Sequence, residues 1–232
     1  RMNEQKSLKF IFPPILRGIS IEGRDELFPV GKIYCVGRNY EDHAQEMNGS
    51  IDKDKPFFFS KPPQAITQLS KIPFPSETDN LHHEVELVVC LKSRCTAIEP
   101  SQAHQYIFGY AVGIDLTKRD LQNAAKNDGK PWDLSKGFDN SAPISAIAEK
   151  DGVILKEGKI LLNVNGEEKQ FSDIQNMAWG VDHLISWLSK FITLKPGDII
   201  FTGTPAGVGQ LNPGDKIEAS IENVGALSCE LI

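Results

Sequence analysis

The sequence predicts an α+β fold, a mixed or antiparallel sheet with a few short helices. Three observations carry this expectation. Short β-rich runs recur along the chain, closed by glycine, proline or Asn-Gly. Only three segments, 39–47, 117–129 and 181–192, read as helices. There is little of the strand–helix–strand rhythm that builds a parallel sheet.

In chain order, GKIYCVG (31–37) is a short strand closed by glycine, and NYEDHAQEM (39–47) follows as a helix. Asn39 suits its N-cap, and Glu41 and Asp42 suit its first turn. PFFFSKPP (56–63) is a strand stopped by prolines. LHHEVELVVCL (81–91) is the next strand, and YAVGIDL (110–116) another that ends at Asp115. Thr117 with Asp120 three residues on resembles a capping box, so a helix starts there; Gly129 and Pro131 stop it. KILLNVNGEEKQF (159–171) is a hairpin turning at Asn165-Gly166. Val181, Leu184, Ile185, Leu188 and Ile192 have helical spacing. LKPGDIIFTGTPAGVG (194–209) is a turn, a strand and a glycine-rich loop, and 216–232 is a terminal hairpin.

The 232 residues fit one large domain, and with 40% hydrophobic residues a sizeable core is available. The net charge of −6 argues against nucleic acid as a partner, because a phosphate-binding surface needs a basic excess. The four cysteines form no C-x-x-C pair and fit no zinc framework. RMNEQKSLKF lacks an apolar signal core, and no run approaches a membrane span. The expectation is a cytoplasmic protein with reduced thiols and no membrane partner.

HHEVELVV (82–89) is the unusual stretch. Strand side chains alternate, so Glu84 and Glu86 share one face, and Val85, Leu87 and Val89 the other. Like charges side by side repel, and burial makes that worse. A divalent cation removes the conflict, and hard oxygen ligands suit magnesium, manganese or calcium better than zinc. Asp115, ending an apolar strand, is the best third ligand. Taken alone, an E-x-E is more often a solvated strand face. His82 and His83 could ligate zinc, but such histidines more often hydrogen-bond locally.

Two further groups carry chemistry. His43 and Glu46 stand at i and i+3 on the first helix, where a carboxylate would fix the imidazole tautomer and strengthen it as a base. A surface pair reads the same way. Arg119 and Gln122 follow Asp115 on a helix, and Lys61 and Lys136 flank the acidic stretches. The loop TGTPAGVG lacks the G-K-[ST] of a phosphate cradle. It reads as a turn that lets backbone approach a small ligand, with the Thr204 hydroxyl available.

Seven segments taken together resemble the fumarylacetoacetate hydrolase superfamily in its short acylpyruvate hydrolase and oxaloacetate-processing branch. They are GRNYEDHAQEM, FFSKP, LHHEVELVV, GYAVGIDLTKRDLQ, KPWDLSKGFDNSAPIS, LNVNGEEKQ and LKPGDIIFTGTPAGVG, in family order over nearly all of 30–232. The resemblance implies a mixed β-roll, one catalytic domain over 1–232 with a short extension at 1–30 and a lid helix within 39–50, and a homodimer. It implies that Glu84, Glu86 and Asp115 bind Mg2+ or Mn2+. His43, Glu46, Lys136 and Gln122 become catalytic, and Arg38, Lys61, Arg119 and Thr204 substrate-binding.

A small 2-oxo acid offers a carboxylate and a keto oxygen to one cation, which then acts as a Lewis acid. The expected reaction is hydrolysis of the carbon–carbon bond of an acylpyruvate. Its electron pair leaves on a pyruvate enolate, after His43, oriented by Glu46, has deprotonated water. Decarboxylation or keto–enol exchange of oxaloacetate uses the same site, as would an isomerase or decarboxylase of aromatic catabolism. A non-catalytic ligand-binding module would leave the three carboxylates unclustered.

Overall fold

The apolar run after Glu84 forms the strand Val85–Leu91, buried at all seven positions. A strand without a wet side needs cover on both faces. The computed structural model, which describes residues 9–52 and 54–232, shows both. The strand lies inside a six-stranded sheet ordered Ala148–Glu149, Ile107–Ile114, Val85–Leu91, Ile199–Phe201, Ile33–Gly37, Phe57–Lys61. Neighbours are antiparallel except Ile199–Phe201 with Ile33–Gly37, so the sheet is mixed, as the sequence predicts.

On one face Val85, Leu87, Val89 and Leu91 join the larger core with Ile160, Leu162 and Ile217 of a second sheet. That sheet runs Glu167–Asp173, Lys159–Val164, Lys216–Ile221, Gly225–Leu231, Lys71–Ile72. On the other face Val88 and Cys90 meet Ile19, Phe28, Ile66 and Phe201. Glu86 has the parity of that second face and sits at its end. Alternation alone therefore places a carboxylate at the rim of a dry core.

Of the predicted stripe, Ile192 falls just beyond the helix Val181–Phe191 as a half-buried, extended C-cap, while the helix buries Val181, Leu184, Ile185 and Leu188. Each such side chain contributes about 1.5–3 kcal/mol of transfer free energy. The hairpin turn at Asn165-Gly166 has φ of 53° and 81°, the left-handed pair a two-residue turn of this kind requires.

Three local expectations are corrected. The 81–91 segment is two strands. Leu81–His83 belongs to a small sheet with Thr117–Lys118 and Gly209–Leu211, and Glu84 is the break. The first helix is only Glu41–Glu46, with Tyr40 at the N-cap position. Asn39 instead donates to the carbonyls of Trp179 and Thr202 at 3.0 and 2.7 Å. Thr117 is not a cap either. The next helix begins at Arg119, and Asp120 accepts from the Thr78 hydroxyl at 2.7 Å. Both misreadings have one cause: a stronger long-range partner claims the polar side chain that local capping would have used. Gly129 does end this helix, in the left-handed region at φ 64°.

Within the 1–30 segment, residues 1–8 lie outside the described residues. Gly18–Ser20 and Leu27–Pro29 pair as a hairpin that buries Ile19 and Phe28. Among the described residues no helix is long and apolar enough to cross a membrane.

Candidate metal centre

The ladder between Val85–Leu91 and Ile107–Ile114 pairs Val85 with Ile114 and Glu86 with Gly113. One step beyond, the Asp115 N–H donates to the Glu84 carbonyl at 2.8 Å. The sheet thus brings Asp115 opposite Glu84, with Glu86 two residues along the same strand. Carboxylate oxygens of all three lie within 4.8 Å of one another, and all three residues are buried.

Three cations compensate them. The Lys136 ammonium donates to Glu84 Oε2 and Asp115 Oδ2, each at 2.8 Å, and to Thr117 Oγ1 at 2.6 Å. Arg119 pairs with Glu84 Oε1 and donates to Gln122 Oε1 at 2.6 Å. Lys61 is fully buried 2.8 Å from Asp115 Oδ1, but its three donors go to the carbonyls of Leu116, Lys136 and Ser141. Asp115 Oδ1 is left without a hydrogen bond, a buried acceptor of the kind a cation would satisfy.

Protonation divides the carboxylates. Burial would push Glu84 up, yet Lys136 and Arg119 hold it well below the usual carboxylate range. Glu86 goes the other way: burial, then Asp115 and Glu84, push it well above. Its one donor is the Gly203 N–H, 2.8 Å from Oε2. A divalent ion would take the place of that extra proton. The hard donor set and the orphan oxygen fit magnesium or manganese. Counting Lys61, Arg119 and Lys136, the side chains alone balance, so a dication leaves the site net positive. The filled site therefore favours an anionic ligand.

His43 lies over this centre, only 6% exposed, on the same cleft as Glu84 and Glu86. Its Nδ1 is 3.0 Å from Glu46 Oε2, and Glu46 Oε1 accepts from the Gly207 N–H at 3.0 Å. With Glu46 ionised, the imidazole proton sits on Nδ1 and Nε2 keeps its lone pair. The cleft is also lined by Arg38, Gln122, Lys126, Lys136 and Thr204. Of the predicted residues, Glu46, Lys61 and Asp115 are not on this lining; Glu46 reaches it through His43. Asp115 belongs to the carboxylate cluster beneath it, and Lys61 supports Asp115 from below.

The sequence reading misses Gln170. Its carbonyl accepts from the Val85 N–H at 3.1 Å and contacts His83 Nδ1 at 2.9 Å. Its amide donates to Thr204 Oγ1 at 2.7 Å and to the Pro205 carbonyl at 2.9 Å. Because Thr204 accepts from Gln170, its own hydroxyl proton is free to turn elsewhere. Neither His82 nor His83 joins the carboxylate cluster, and neither bonds locally: Arg119 Nε, 37 residues on, donates to His82 Nδ1 at 3.3 Å, and His83 Nδ1 meets Gln170, 87 residues on. Burial, with Arg119, pushes His82 down to about 4.

Such a cleft defines a class, the metal-dependent enzymes that act on small oxygen-rich substrates. The chain belongs to the fumarylacetoacetate hydrolase family: the family described as Fumarylacetoacetate (FAA) hydrolase C-terminal matches residues 32–232. It is 42% identical over 198 residues to oxaloacetate tautomerase FAHD1, mitochondrial, of Homo sapiens, covering 84% of this chain and 89% of that one. It is 39% identical over 185 residues to fumarylpyruvate hydrolase of Ralstonia sp, covering 78% and 96%. The crystal structure of fumarylpyruvate hydrolase from Pseudomonas aeruginosa in complex with Mn2+ and pyruvate superposes with a TM-score of 0.93 at 39% identity. That match covers 97% of this chain and 99% of that one.

Proposed function

We propose that the protein hydrolyses the carbon–carbon bond of acylpyruvate-type 2,4-dioxo acids, yielding pyruvate and a carboxylic acid. The observation that carries this reading is the His43–Glu46 pair held over the carboxylate cluster. Glu84, Glu86 and Asp115 hold Mg2+ or Mn2+, which when bound supplies Lewis-acid polarisation of the 2-oxo acid. His43 Nε2 takes a proton from water, and the hydroxyl adds to the distal carbonyl carbon. The bond from that carbon to the methylene between the two carbonyls then breaks. Its electron pair stays on the pyruvate fragment as an enolate, which takes up a proton at carbon. Lys136 and Gln122 face the developing negative charge, and Arg38, Arg119 and Thr204 orient the substrate. Lys61 acts on substrate only through Asp115.

A second reading has a specific support, the relative from Homo sapiens named as an oxaloacetate tautomerase. Keto–enol exchange needs proton transfer but no attacking water, and the His43 imidazole, which takes up a proton and returns it, fills that role, with the Lys136 charge beside it. Decarboxylation of oxaloacetate and isomerisation of larger diacids draw on the same groups.

Residues 1–232 form one catalytic domain in this reading, with 39–50 as its lid. A homodimer is supported by the exposed Phe10, Ile11, Phe12, Ile15 and Leu16, more apolar surface than one segment of a monomer usually shows. A reducing compartment, the cytoplasm, is supported by four buried free cysteines.

The deciding experiment follows acetylpyruvate and the keto and enol forms of oxaloacetate with Mn2+ and with chelator. Stoichiometric pyruvate and acetate from acetylpyruvate, lost on chelation, support the hydrolase. Exchange of oxaloacetate forms without acylpyruvate cleavage makes the protein a tautomerase.

A further inference from the structure

Leu81–His83 is the middle strand of its small sheet, with His82 paired to Thr117 on one side and to Gln210 on the other. Both edges fix the His82 backbone. His82 and Glu84 stand two residues apart, and both side chains meet the Arg119 guanidinium. The Arg119 backbone N–H donates to the Asn80 carbonyl at 2.8 Å, which sets the start of its helix against this strand. Each guanidinium nitrogen has a different partner. Nε donates to His82 Nδ1 at 3.3 Å, Nη2 pairs with Glu84 Oε1, and Nη1 donates to Gln122 Oε1 at 2.6 Å.

A guanidinium carries donors only. The Gln122 atom facing it is therefore the oxygen, and the His82 nitrogen facing it holds a lone pair. Gln122 lines the cleft, and its NH2 group has no hydrogen-bond partner among the described residues. That group is left to serve a ligand as a donor. His82 is half-buried and lies off the cleft lining, so it acts on a ligand only through its neighbours.

A planar fork is fixed by two contacts and not by one. With Nη2 on Glu84 alone, the guanidinium can rock about that pairing. The second contact, Nε on His82, stops the rocking and aims Nη1 at Gln122. Without it the Gln122 amide can turn over and present its oxygen to an anion, which repels it.

Resting on the reading above that Gln122 faces the developing negative charge, we infer that His82 is a positioning residue, which acts through Arg119 to hold the Gln122 amide with its NH2 group toward the substrate. Glu84 offers a competing route, because Arg119 pairs with it as well and it is a metal ligand in that reading. The test separates the two.

Mn2+-loaded protein is titrated calorimetrically with oxalate, a dianion that offers one cation two oxygens, and acetylpyruvate turnover is followed alongside. H82L removes the acceptor for Arg119 Nε, and H82N restores an oxygen close to the place of Nδ1. Both are also made in the Q122A background. A neutral acceptor of this kind is worth about two- to tenfold. Oxalate affinity should fall by that factor in H82L, with kcat on acetylpyruvate falling more than KM rises, and H82N should recover both. In Q122A, H82L should cost nothing further. Mn2+ affinity measured without oxalate should match the parent. Unchanged oxalate affinity in H82L, a loss that persists in Q122A, or no recovery in H82N overturns the assignment. A fall in Mn2+ affinity in H82L places its effect on Glu84 and the metal, and overturns it too. The expected oxalate pattern in a protein that does not cleave acetylpyruvate overturns the hydrolase reading and leaves the role of His82 standing.

Discussion

Glu46 ties the helix over the cleft to a loop 161 residues away: one carboxylate oxygen accepts from the Gly207 N–H at 3.0 Å, and the other meets His43 Nδ1 at 3.0 Å. One side chain thus closes the cleft and sets the tautomer of the proposed base.

Removing that carboxylate separates orientation from metal binding. E46A should lower kcat by about 10²-fold, with a smaller change in KM and no change in Mn2+ affinity by calorimetry. The amide of E46Q still accepts from Gly207 but can turn its NH2 toward His43, favouring the wrong tautomer. That variant should keep the thermal midpoint of the parent and still lose activity. Full activity in E46Q would remove Glu46 from the mechanism.

His43→Ala tests the base itself. Acylpyruvate cleavage should fall by about 10²–10⁴-fold while the Mn2+-induced rise in thermal midpoint persists, because His43 is not among the clustered carboxylates. Wild-type turnover by this variant would refute its role.

The metal cluster was legible because its signal contradicts its surroundings. Two carboxylates of one parity inside an apolar strand, and Asp115 at the end of another, are hard to explain as solvated residues. The predicted helix at 181–192 and the Asn-Gly hairpin were legible because periodicity and turn chemistry are local. What sequence could not supply was competition from a distance. Asn39 and Thr117 look like caps until Trp179 and Lys136 claim them. Gln170 sits in the polar run EEKQ, where nothing marks it as the one residue of that run buried against the site. The break at Glu84 was hidden because both flanking strands carry β-rich residues, and only their partners differ.

Glu86 predicts a pH dependence. Its folded pKa is raised above 4.5, so without metal the folded protein binds more protons than the unfolded chain. Glu86 is then most favourable to stability below 4.5, and that contribution is lost as pH rises through its raised folded value. A bound cation reverses the sign by favouring the carboxylate. The rise in thermal midpoint on adding Mn2+ should therefore grow with pH through this window, with proton release on binding seen by calorimetry in two buffers. E86Q should flatten the metal-free slope and lose most of the metal response. A midpoint shift independent of pH would contradict this assignment.

Gln170 holds the strand between the two glutamates and orients Thr204. Q170A leaves the buried Val85 N–H without its acceptor, an expected loss of about 1–3 kcal/mol in denaturant unfolding. Q170E keeps the acceptor but offers Thr204 no donor, so Thr204 must spend its hydroxyl proton on the new carboxylate. Its KM should rise more than that of Q170A once stability is matched. Equal KM values would make Gln170 purely structural.

Gly203 is the position where backbone and metal centre meet. Its φ of 100° lies in the region side chains avoid, and a Cβ there would stand 2.7 Å from Asn39 Cβ. Gly203→Ala must therefore move either this loop or Asn39. Moving the loop withdraws the N–H from Glu86 Oε2 and loosens one carboxylate. Moving Asn39 releases the start of the His43 helix from Trp179 and Thr202. Stability should fall by about 1–3 kcal/mol either way, and the other readouts tell the routes apart. A fall in Mn2+ affinity with kcat retained at saturating metal marks the first, and unchanged affinity with lower kcat the second. If both are unchanged at a lowered thermal midpoint, the Gly203 N–H does not hold Glu86 in place for the metal.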